Sequence, residues 1–204
     1  MNPNVKGAAG ECRNNELWTF FRQWLRKPLS TAAVSPSSRF LARRIVAALP
    51  PGTTRVIELG AGTGMFTRAM LQHGIGLDDL LAIEFNPELH AFLTRNFPGL
   101  EVIQADAREL TKVEAVGRFL ERGPVQAMVS GLGLLSMTRE TQRSILQGVF
   151  SLMPPDGVLV QFTYGPVAPV AAEVMQELGL KAVRRSFTLL NVPPASVYTF
   201  TRTH

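Results

Sequence analysis

Short apolar runs alternate with amphipathic stretches along most of the chain, from residue 54 onward. The apolar runs predict five strands, at 54–59, 80–85, 100–105, 125–132 and 157–162. Such runs are typical of strands that are covered on both faces, as in a parallel sheet. The amphipathic stretches predict five helices, at 64–73, 87–96, 111–121, 138–152 and 167–178. The tail of the chain predicts two further strands that meet at 191–194 as an antiparallel hairpin.

This alternation predicts an α/β fold. The expected architecture is a Rossmann-like, mostly parallel sheet of seven strands, closed by the antiparallel C-terminal hairpin. Two of the predicted helices carry start signals in the sequence. Asn86 precedes Pro87 as an N-cap, and Thr111 with Glu114 predicts a capping box.

Two more helices are predicted before this alternation, at 13–29 and 37–49. The chain therefore divides into an N-terminal helix with its linker, residues 1–36, and a main domain, residues 37–204. Positive charge is concentrated at the start, since residues 1–55 hold nine Lys and Arg against two Glu. A basic segment of this kind favours an anionic partner, either lipid or nucleic acid, and the plainer alternative is a solvated surface.

The composition indicates a folded domain in a reducing compartment. Of the 204 residues 46% are hydrophobic and 18% are charged, which is enough apolar material for a core. The single cysteine, Cys12, excludes a disulfide framework and a Cys-cluster zinc site. The three histidines show no metal-ligand spacing, so no metal is expected. No transmembrane helix or secretory signal is predicted, because no apolar run is long enough and the first residues are polar.

A glycine-rich turn follows the first predicted strand and contains the first candidate site. From Glu58 to Gly64 the sequence is Glu-Leu-Gly-Ala-Gly-Thr-Gly, and glycine lets the backbone approach a ligand closely. The carboxylate two residues before Gly60 would repel a pyrophosphate, but it suits a ligand with an ammonium group. Glu84 ends the second strand, where an acid hydrogen-bonds ribose hydroxyls. Asp106 follows the third strand, in place to meet an adenine edge.

These features resemble the class I S-adenosylmethionine (SAM) methyltransferases, over about residues 40–204. The resemblance implies SAM as cofactor and S-adenosylhomocysteine (SAH) as product. It assigns the methionine part of SAM to Glu58 and the glycine turn, the ribose to Glu84 and the adenine to Asp106. For Asp106 a helix N-cap is the alternative. The full predicted cofactor-binding set is Glu58, Gly60, Ala61, Gly62, Gly64, Glu84, Phe85, Asp106, Ala107, Ser130 and Gly131.

The predicted helix at 13–29 is both aromatic and basic. On a helical wheel its aromatic and leucine side chains gather on one face and its basic side chains on the other. Helices of this kind lie in a membrane interface, because Trp prefers that depth and cations are attracted to an anionic leaflet. Packing against the main domain is the alternative. The predicted membrane-binding residues are Leu17, Trp18, Phe20, Phe21, Trp24, Arg22, Arg26 and Lys27.

The segment after the fourth strand, 130–135, lacks the polar clamp and the aromatic residue that methylation of a base amine requires. This absence argues against the ribosomal RNA adenine dimethyltransferases, which the layout otherwise resembles and which stay the main alternative. The chain instead resembles the bacterial phospholipid N-methyltransferases, through the basic aromatic helix, 35–41, 130–132, 161–166 and 191–195. That resemblance implies methylation of phosphatidylethanolamine (PE) to its mono- and dimethylated forms, with phosphatidylcholine as product if all three steps occur.

Three acceptor-site predictions follow. Tyr164, just past the fifth strand, is the predicted contact for the ethanolamine nitrogen, through its hydroxyl or its ring. Either Arg184 or Arg185, which point to opposite faces of one strand, is expected to bind the lipid phosphate, and Arg39 is a further candidate. No His or acid stands out as a general base, so a membrane-associated SAM-binding protein without activity is another alternative.

The expected partners are an anionic phospholipid surface and the PE headgroup, with no nucleic acid. The expected location is the inner face of the cytoplasmic membrane, to which a cytoplasmic protein binds peripherally. A monomer is the expected oligomeric state.

Overall fold

A computed structural model describes residues 36–188 and 194–203 of the chain. The predicted interfacial helix at 13–29 lies outside these residues, and so does most of the predicted turn at 191–194. The membrane-binding face of that helix therefore stays a prediction.

One mixed sheet of seven strands forms the centre of the described chain. Its strands are β1 Val56–Leu59, β2 Leu80–Glu84, β3 Glu101–Gln104, β4 Ala127–Ser130, β5 Val158–Tyr164, β6 Leu180–Thr188 and β7 Ala195–Arg202. Their order across the sheet is β3-β2-β1-β4-β5-β7-β6. Strands β1 to β5 pair in parallel, and β7 runs antiparallel to both β5 and β6. The predicted Rossmann-like sheet with an antiparallel C-terminal hairpin is confirmed.

The predicted helices connect these strands, with an N-terminal helix before them. Within the described residues they are α1 Pro36–Val46, α2 Met65–His73, α3 Pro87–Asn96, α4 Glu114–Glu121, α5 Arg139–Ser151 and α6 Ala172–Glu177. The predicted N-cap of α3 is confirmed, because Asn86 Oδ1 accepts hydrogen bonds from the backbone N–H groups of Glu88, at 2.8 Å, and Leu89, at 3.1 Å.

Two local predictions were wrong. Thr111 forms no capping box, because it lies inside a 3₁₀ segment, Ala107–Lys112, and Val113 is the residue that precedes α4. The helix predicted from residue 167 begins only at Ala172. Pro169 explains this late start, since proline lacks a backbone N–H and disfavours helical backbone at the residue before it.

Helices cover both faces of the sheet and give each face its own core. On one face Leu59 and Met128 belong to the same buried cluster as Phe119 of α4. On the other face α2 contributes Phe66, whose ring meets the ring of Phe162 edge-on, with 5.5 Å between the centroids. Alternation along each strand therefore sends neighbouring side chains into different cores.

The carboxyl ends of β1, β2 and β4 lie at one edge of the sheet. From β1 the chain adds β2 and β3 on one side and then returns to place β4 on the other. Leu59, at the end of β1, pairs with Ser130, at the end of β4, and Ser130 pairs with Gln161 of β5. In open α/β sheets ligands bind in the crevice at such a switch in strand order. The candidate site is expected at this edge.

Candidate functional site

The glycine turn between β1 and α2 leaves space for a ligand at this edge. Gly60, Gly62 and Gly64 all have positive φ, a conformation that other residues rarely adopt. A Cβ on Gly62 would have the Gly60 carbonyl oxygen, 3.9 Å away, as its nearest contact beyond the adjacent residues, so Gly62 faces open space. A Cβ on Gly64 would instead collide with the ring of Phe97. Gly64, predicted as a cofactor residue, therefore also permits close packing of α2 on α3.

Hydrogen bonds to β2 hold the turn in place. The N–H groups of Gly60 and Ala61 both donate to the Ile83 carbonyl, at 2.8 and 3.3 Å. The Gly64 N–H donates to the Ala61 carbonyl within the turn, at 2.9 Å. The Gly62 N–H donates to a side chain, Glu84 Oε2, at 2.8 Å. These hydrogen bonds therefore fix the shape of the turn.

Glu84 connects the glycine turn to the start of α3. Its Oε2 accepts from Gly62 N–H, and its Oε1 accepts from Asn86 N–H at 2.8 Å. The residue is buried, so this double contact orients the carboxylate firmly. Each carboxylate oxygen accepts more than one hydrogen bond. Glu84 therefore keeps capacity for two ribose hydroxyls, as the sequence predicts.

Glu58 has one carboxylate oxygen that nothing in the described chain contacts. It is fully buried, and Thr67 of α2 donates its hydroxyl proton to Oε2 at 2.5 Å. Oε1 is buried and accepts no hydrogen bond from any described residue. Burial is the main reason that the pKa of Glu58 rises to about 8. An ammonium group is the partner that this oxygen suits, so the residue fits the predicted contact with the amino group of SAM.

Further predicted cofactor residues follow β2 and β3, and of these Asp106 and Ala107 are the ones predicted to bind the adenine. Phe85 follows Glu84 directly, and 66% of its surface is exposed. Asp106 is the N-cap of the 3₁₀ segment that begins with the buried Ala107, and its Oδ1 accepts from Arg108 N–H at 2.8 Å. The Arg108 guanidinium hydrogen-bonds Oδ2 and lowers the pKa of Asp106. The N-cap alternative therefore describes this structure, and the adenine contact stays a prediction.

The loop after β4 touches the glycine turn through bare backbone. The Gly131 N–H donates to the Leu59 carbonyl at 2.8 Å, and a Cβ on Gly131 would collide with the Gly60 carbonyl oxygen. Ser130 is buried beside it, and its Oγ accepts from Leu132 N–H at 3.3 Å. Both predicted residues, Ser130 and Gly131, are thus brought to the glycine turn.

Tyr164 ends β5 beyond the level at which β4 stops. It lies three residues past Gln161, which pairs with the last residue of β4, and that separation is about 10 Å along a strand. Its ring meets the ring of Phe162 edge-on, with 5.4 Å between the centroids. Burial raises the pKa of Tyr164 to about 12. The phenol is therefore expected to be neutral at physiological pH, which disfavours a role as a phenolate base.

The three predicted phosphate-binding arginines lie apart. Arg39 is exposed on α1, whereas Arg184 and Arg185 lie on the outer strand β6, three strands from β4. Arg184 Nη1 donates to the Pro166 carbonyl at 3.5 Å, and Arg185 Nε donates to Thr199 Oγ1 at 2.9 Å. None of the three forms an ion pair with a described acidic residue.

Two buried glutamines near the edge were missed from the sequence. Gln161 and Gln142 are 0% and 4% exposed, and both side-chain amides bind backbone atoms of the loops after β4 and β5. The available signal was weak: Gln161 interrupts an otherwise apolar strand, and Gln142 lies on an amphipathic helix where its orientation is not obvious. Their contacts join residues that are far apart in the chain.

The glycine turn, the acids after successive strands and the order of the sheet define a class I SAM-dependent methyltransferase. Residues 42–164 match the FtsJ-like methyltransferase family, and the chain belongs to that family. The cofactor is SAM and the product is SAH, as in the neighbouring structures that contain them.

Solved methyltransferase structures share the fold at low sequence identity. The glycopeptide N-methyltransferase MtfA complexed with SAM has a TM-score of 0.61 and 14% identity over 82% of this chain and 94% of its own. The complex of DhpI with SAH has a TM-score of 0.61 and 20% identity over 90% of this chain and 94% of its own. A TehB-like SAM-dependent methyltransferase from Corynebacterium glutamicum has a TM-score of 0.59 and 16% identity, and covers 95% of this chain.

A curated relative matches nearly the whole chain. The ornithine lipid N-methyltransferase of Singulisphaera acidiphila is 28% identical over 189 residues, which cover 90% of this chain and 94% of the relative. Among the described residues, no helix has the length and apolar character needed to cross a membrane.

Proposed function

We propose that the protein transfers the methyl group of SAM to the primary amine of the PE headgroup at a membrane surface, giving mono- and dimethylated PE and, if the series is completed, phosphatidylcholine. The observation that carries this proposal is the match, end to end, with an enzyme that N-methylates a lipid. The phospholipid-methyltransferase motifs of the sequence support it independently.

For methyl transfer the protein mainly has to align the amine with the methyl group and to exclude water from the site. Bound SAM supplies a methyl group on a cationic sulfur. The acceptor amine has a pKa of about 10 in water and must lose a proton before its lone pair attacks. An apolar pocket beside a positive charge lowers that pKa, because both disfavour the ammonium form. Phe162 and Tyr164 supply aromatic surface of this kind at the end of β5.

Arg184 is the favoured phosphate contact of the three candidates. Its guanidinium reaches the Pro166 carbonyl, two residues beyond Tyr164 in the chain. Tyr198 also donates its hydroxyl to that carbonyl, at 2.9 Å, which steadies the segment. Arg185 instead donates its Nε–H to the hydroxyl of Thr199, on the neighbouring strand β7. The proposal thus places the phosphate near Arg184 and the amine near Tyr164.

The N-terminal helix at 13–29 is proposed to dock the enzyme on an anionic leaflet, at the inner face of the cytoplasmic membrane. Phe20→Asp and Trp24→Asp replace aromatic anchors by a charge that is costly to bury. Sedimentation with anionic liposomes is expected to fall to background for both variants, while SAM affinity in solution is unchanged. Asn15→Asp, on the predicted polar face, is the control. Full sedimentation of both aromatic variants would overturn the docking role.

Ornithine lipid is a second candidate acceptor, favoured by the curated relative. Ornithine also carries a primary amine, but an ornithine lipid has no phosphate. Transfer of labelled methyl groups from SAM is therefore measured on vesicles with PE, on vesicles with ornithine lipid, and on total RNA. Labelled PE would support the proposal. Label only in ornithine lipid would show that ornithine lipid, and not PE, is the acceptor.

The remaining outcomes of this assay separate the alternatives. Label only in RNA would establish the RNA adenine methyltransferase alternative. No label in any pool, with SAM binding intact, would indicate a SAM-binding protein without activity on these acceptors. Arg184→Ala is expected to lower activity on PE at least about tenfold, the effect of one lost charged hydrogen bond.

A further inference from the structure

Gln161 carries a buried carbonyl oxygen to which the described chain supplies no donor. The residue is 0% exposed, and Oε1 has no hydrogen-bond partner among the described residues. Its Nε2 donates to the Leu132 carbonyl at 2.8 Å and to the Phe162 carbonyl at 2.6 Å. Because both of these partners are acceptors, the amide cannot be flipped to satisfy the oxygen. An unpaired buried acceptor destabilises the protein, so a ligand that supplies a donor gains by binding there.

The amide of Gln161 lies at the edge where the methyl acceptor is expected. Gln161 pairs with Ser130, the last residue of β4, so the two side chains leave the sheet on the same face. Its hydrogen bond to Leu132 holds the amide against the loop after β4. That loop also touches the glycine turn, through Gly131 and Gly60. The Gln161 side chain therefore lies close to the switch point at which ligands bind, on the face of β5 opposite to Tyr164. An amine that contacts both residues lies across the end of this strand.

We propose that Gln161 Oε1 accepts a hydrogen bond from an N–H group of the acceptor amine and so determines which amines are methylated. This inference rests on the proposed function and deepens it. In the transfer, the nitrogen lone pair forms the new N–C bond while the C–S bond breaks and its electron pair stays on sulfur. The proton that nitrogen loses goes to water. Gln161 orients the nitrogen throughout and takes no proton.

A neutral amide suits this role better than a carboxylate. A carboxylate would stabilise the ammonium form and hold the proton that must leave, whereas an uncharged carbonyl favours that form less. The acceptor oxygen is therefore able to position an amine without keeping it protonated.

The number of N–H groups makes the role of Gln161 specific to the early steps. With its lone pair directed at the methyl group, a primary amine has two N–H groups left and a monomethylated amine has one. A dimethylated amine has none. Gln161 is therefore expected to accelerate the first and second methylations and to contribute nothing to the third.

Gln142 provides a matched control for a test of this role. It is also a buried glutamine, and its Nε2 donates to the Leu134 carbonyl at 2.8 Å. Its Oε1, however, already accepts from Ala171 N–H at 2.9 Å. Gln161→Met and Gln142→Met each replace a buried amide by an unbranched apolar chain of similar length. Both lose structural hydrogen bonds, but only the first loses an unpaired acceptor.

The experiment measures SAM-dependent methylation of PE, monomethyl-PE and dimethyl-PE in separate vesicles by the wild-type protein and both variants. For Gln161→Met the rates with the first two lipids are expected to fall about ten- to a hundredfold more than the rate with dimethyl-PE, which reports only the loss of the hydrogen bonds to Leu132 and Phe162. For Gln142→Met any loss is expected to be equal for all three lipids. Equal losses for Gln161→Met would overturn the inference while leaving the proposed function standing.

A binding measurement gives a readout that does not depend on turnover. Calorimetry measures the affinity of the SAH-bound protein for two soluble lipids: dihexanoyl-PE, which has N–H groups, and dihexanoyl-phosphatidylcholine, which has none. Gln161→Met is expected to lose about tenfold in affinity for the first lipid only. Equal affinity of wild type and variant for dihexanoyl-PE would contradict the hydrogen bond. Absence of methylation of any lipid amine by the wild type would overturn the proposed function and this inference together.

Discussion

The β1–β3 half and the β4–β5 half of the sheet edge are held in different ways. At the ends of β1 to β3 most of these bonds join polar side chains to backbone two residues away, although Glu84 also accepts from Gly62 N–H, 22 residues before it. Asn86 N–H donates to Glu84 two residues before it, and Arg108 N–H donates to Asp106 two residues before it. At the ends of β4 and β5, Gln161 reaches a carbonyl 29 residues away, and Tyr198 reaches one 32 residues away.

This difference separates a site built from local motifs from one built by tertiary contacts. A motif such as Glu-x-Gly-x-Gly-x-Gly can be recognised in the sequence, because its residues lie within one short segment. The β4–β5 half depends on loops that meet only in the folded chain. Cofactor binding is therefore expected to respond to changes within the motifs, and acceptor binding to changes in distant loops.

The largest effect is expected where the two halves touch. Gly131→Ala places a methyl group against the Gly60 carbonyl, and neither backbone segment is free to move, because Gly131 and Gly60 N–H groups are both bound to neighbouring strands. Overpacking of about 1–3 kcal/mol corresponds to a fall in Tm of about 2–12 °C in a protein of this size. Loss of SAM binding is expected with it, by calorimetry.

Gly117→Ala is the control for this prediction. Gly117 lies inside α4, and a Cβ there would meet nothing within 4 Å. Replacement is expected to raise the stability by about 0.5–1 kcal/mol, since alanine favours helix. A Tm for Gly131→Ala equal to that of the wild type would show that the halves are not rigidly joined.

The next effect concerns the β1–β3 half alone. Glu84→Ala leaves the N–H groups of Gly62 and Asn86 without their acceptor and removes the predicted ribose contact. The Kd for SAM is expected to rise about 100-fold, the result of losing two charged hydrogen bonds. Glu88→Ala, at an exposed position on α3, is expected to bind SAM like the wild type. Wild-type affinity of Glu84→Ala would contradict the role.

Glu58 predicts a pH dependence that distinguishes binding from stability. Its pKa is about 8 in the folded protein and 4.5 in the reference state, so the folded state holds a proton that the unfolded state releases between these values. Its contribution to the free energy of unfolding is therefore full below pH 4.5 and is lost as the pH rises through 8. Glu58→Gln cannot titrate, and its stability relative to the wild type is expected to rise over this window.

Two measurements test Glu58→Gln. Denaturant unfolding from pH 6 to pH 9 is expected to show the variant gaining about 2–4 kcal/mol on the wild type. Calorimetry is expected to show weaker SAM binding, because the amide oxygen would accept the hydrogen bond from Thr67 and the amide N–H₂ group would then face the ammonium group. The wild type should bind SAM more tightly as the pH rises to 8. Parallel pH profiles of the two proteins would disprove an unpaired carboxylate at this position.

The smallest effect belongs to the β4–β5 half. Tyr164→Phe removes the hydroxyl and keeps the ring, so kcat/KM for the lipid is expected to fall about tenfold or less, with unchanged SAM affinity. Because the pKa of Tyr164 is about 12, the pH profile between 7 and 10 should keep its shape. A profile that loses a basic limb in the variant would show that Tyr164 acts as a base after all.

Most of the sheet was predictable because the signal for each strand is local. The apolar runs predicted all five parallel strands, and the adjacent residues Asn86 and Pro87 predicted the N-cap of α3. The errors fell where neighbouring turns compete: a separate 3₁₀ segment replaced the Thr111 cap, and Pro169 delayed α6 to Ala172. Such boundaries depend on how a short segment packs, which periodicity alone does not specify.

The sequence by itself determined the class of fold and the cofactor, and it predicted the acids that bind this cofactor, because those residues form short motifs at the ends of consecutive strands. Only the tertiary structure decided that Gly131 lies against Gly60. It also decided that one side-chain oxygen of Glu58 and one of Gln161 have no hydrogen-bond partner among the described residues. Burial and hydrogen-bond satisfaction are properties of the assembled chain, since each depends on residues brought together from distant segments.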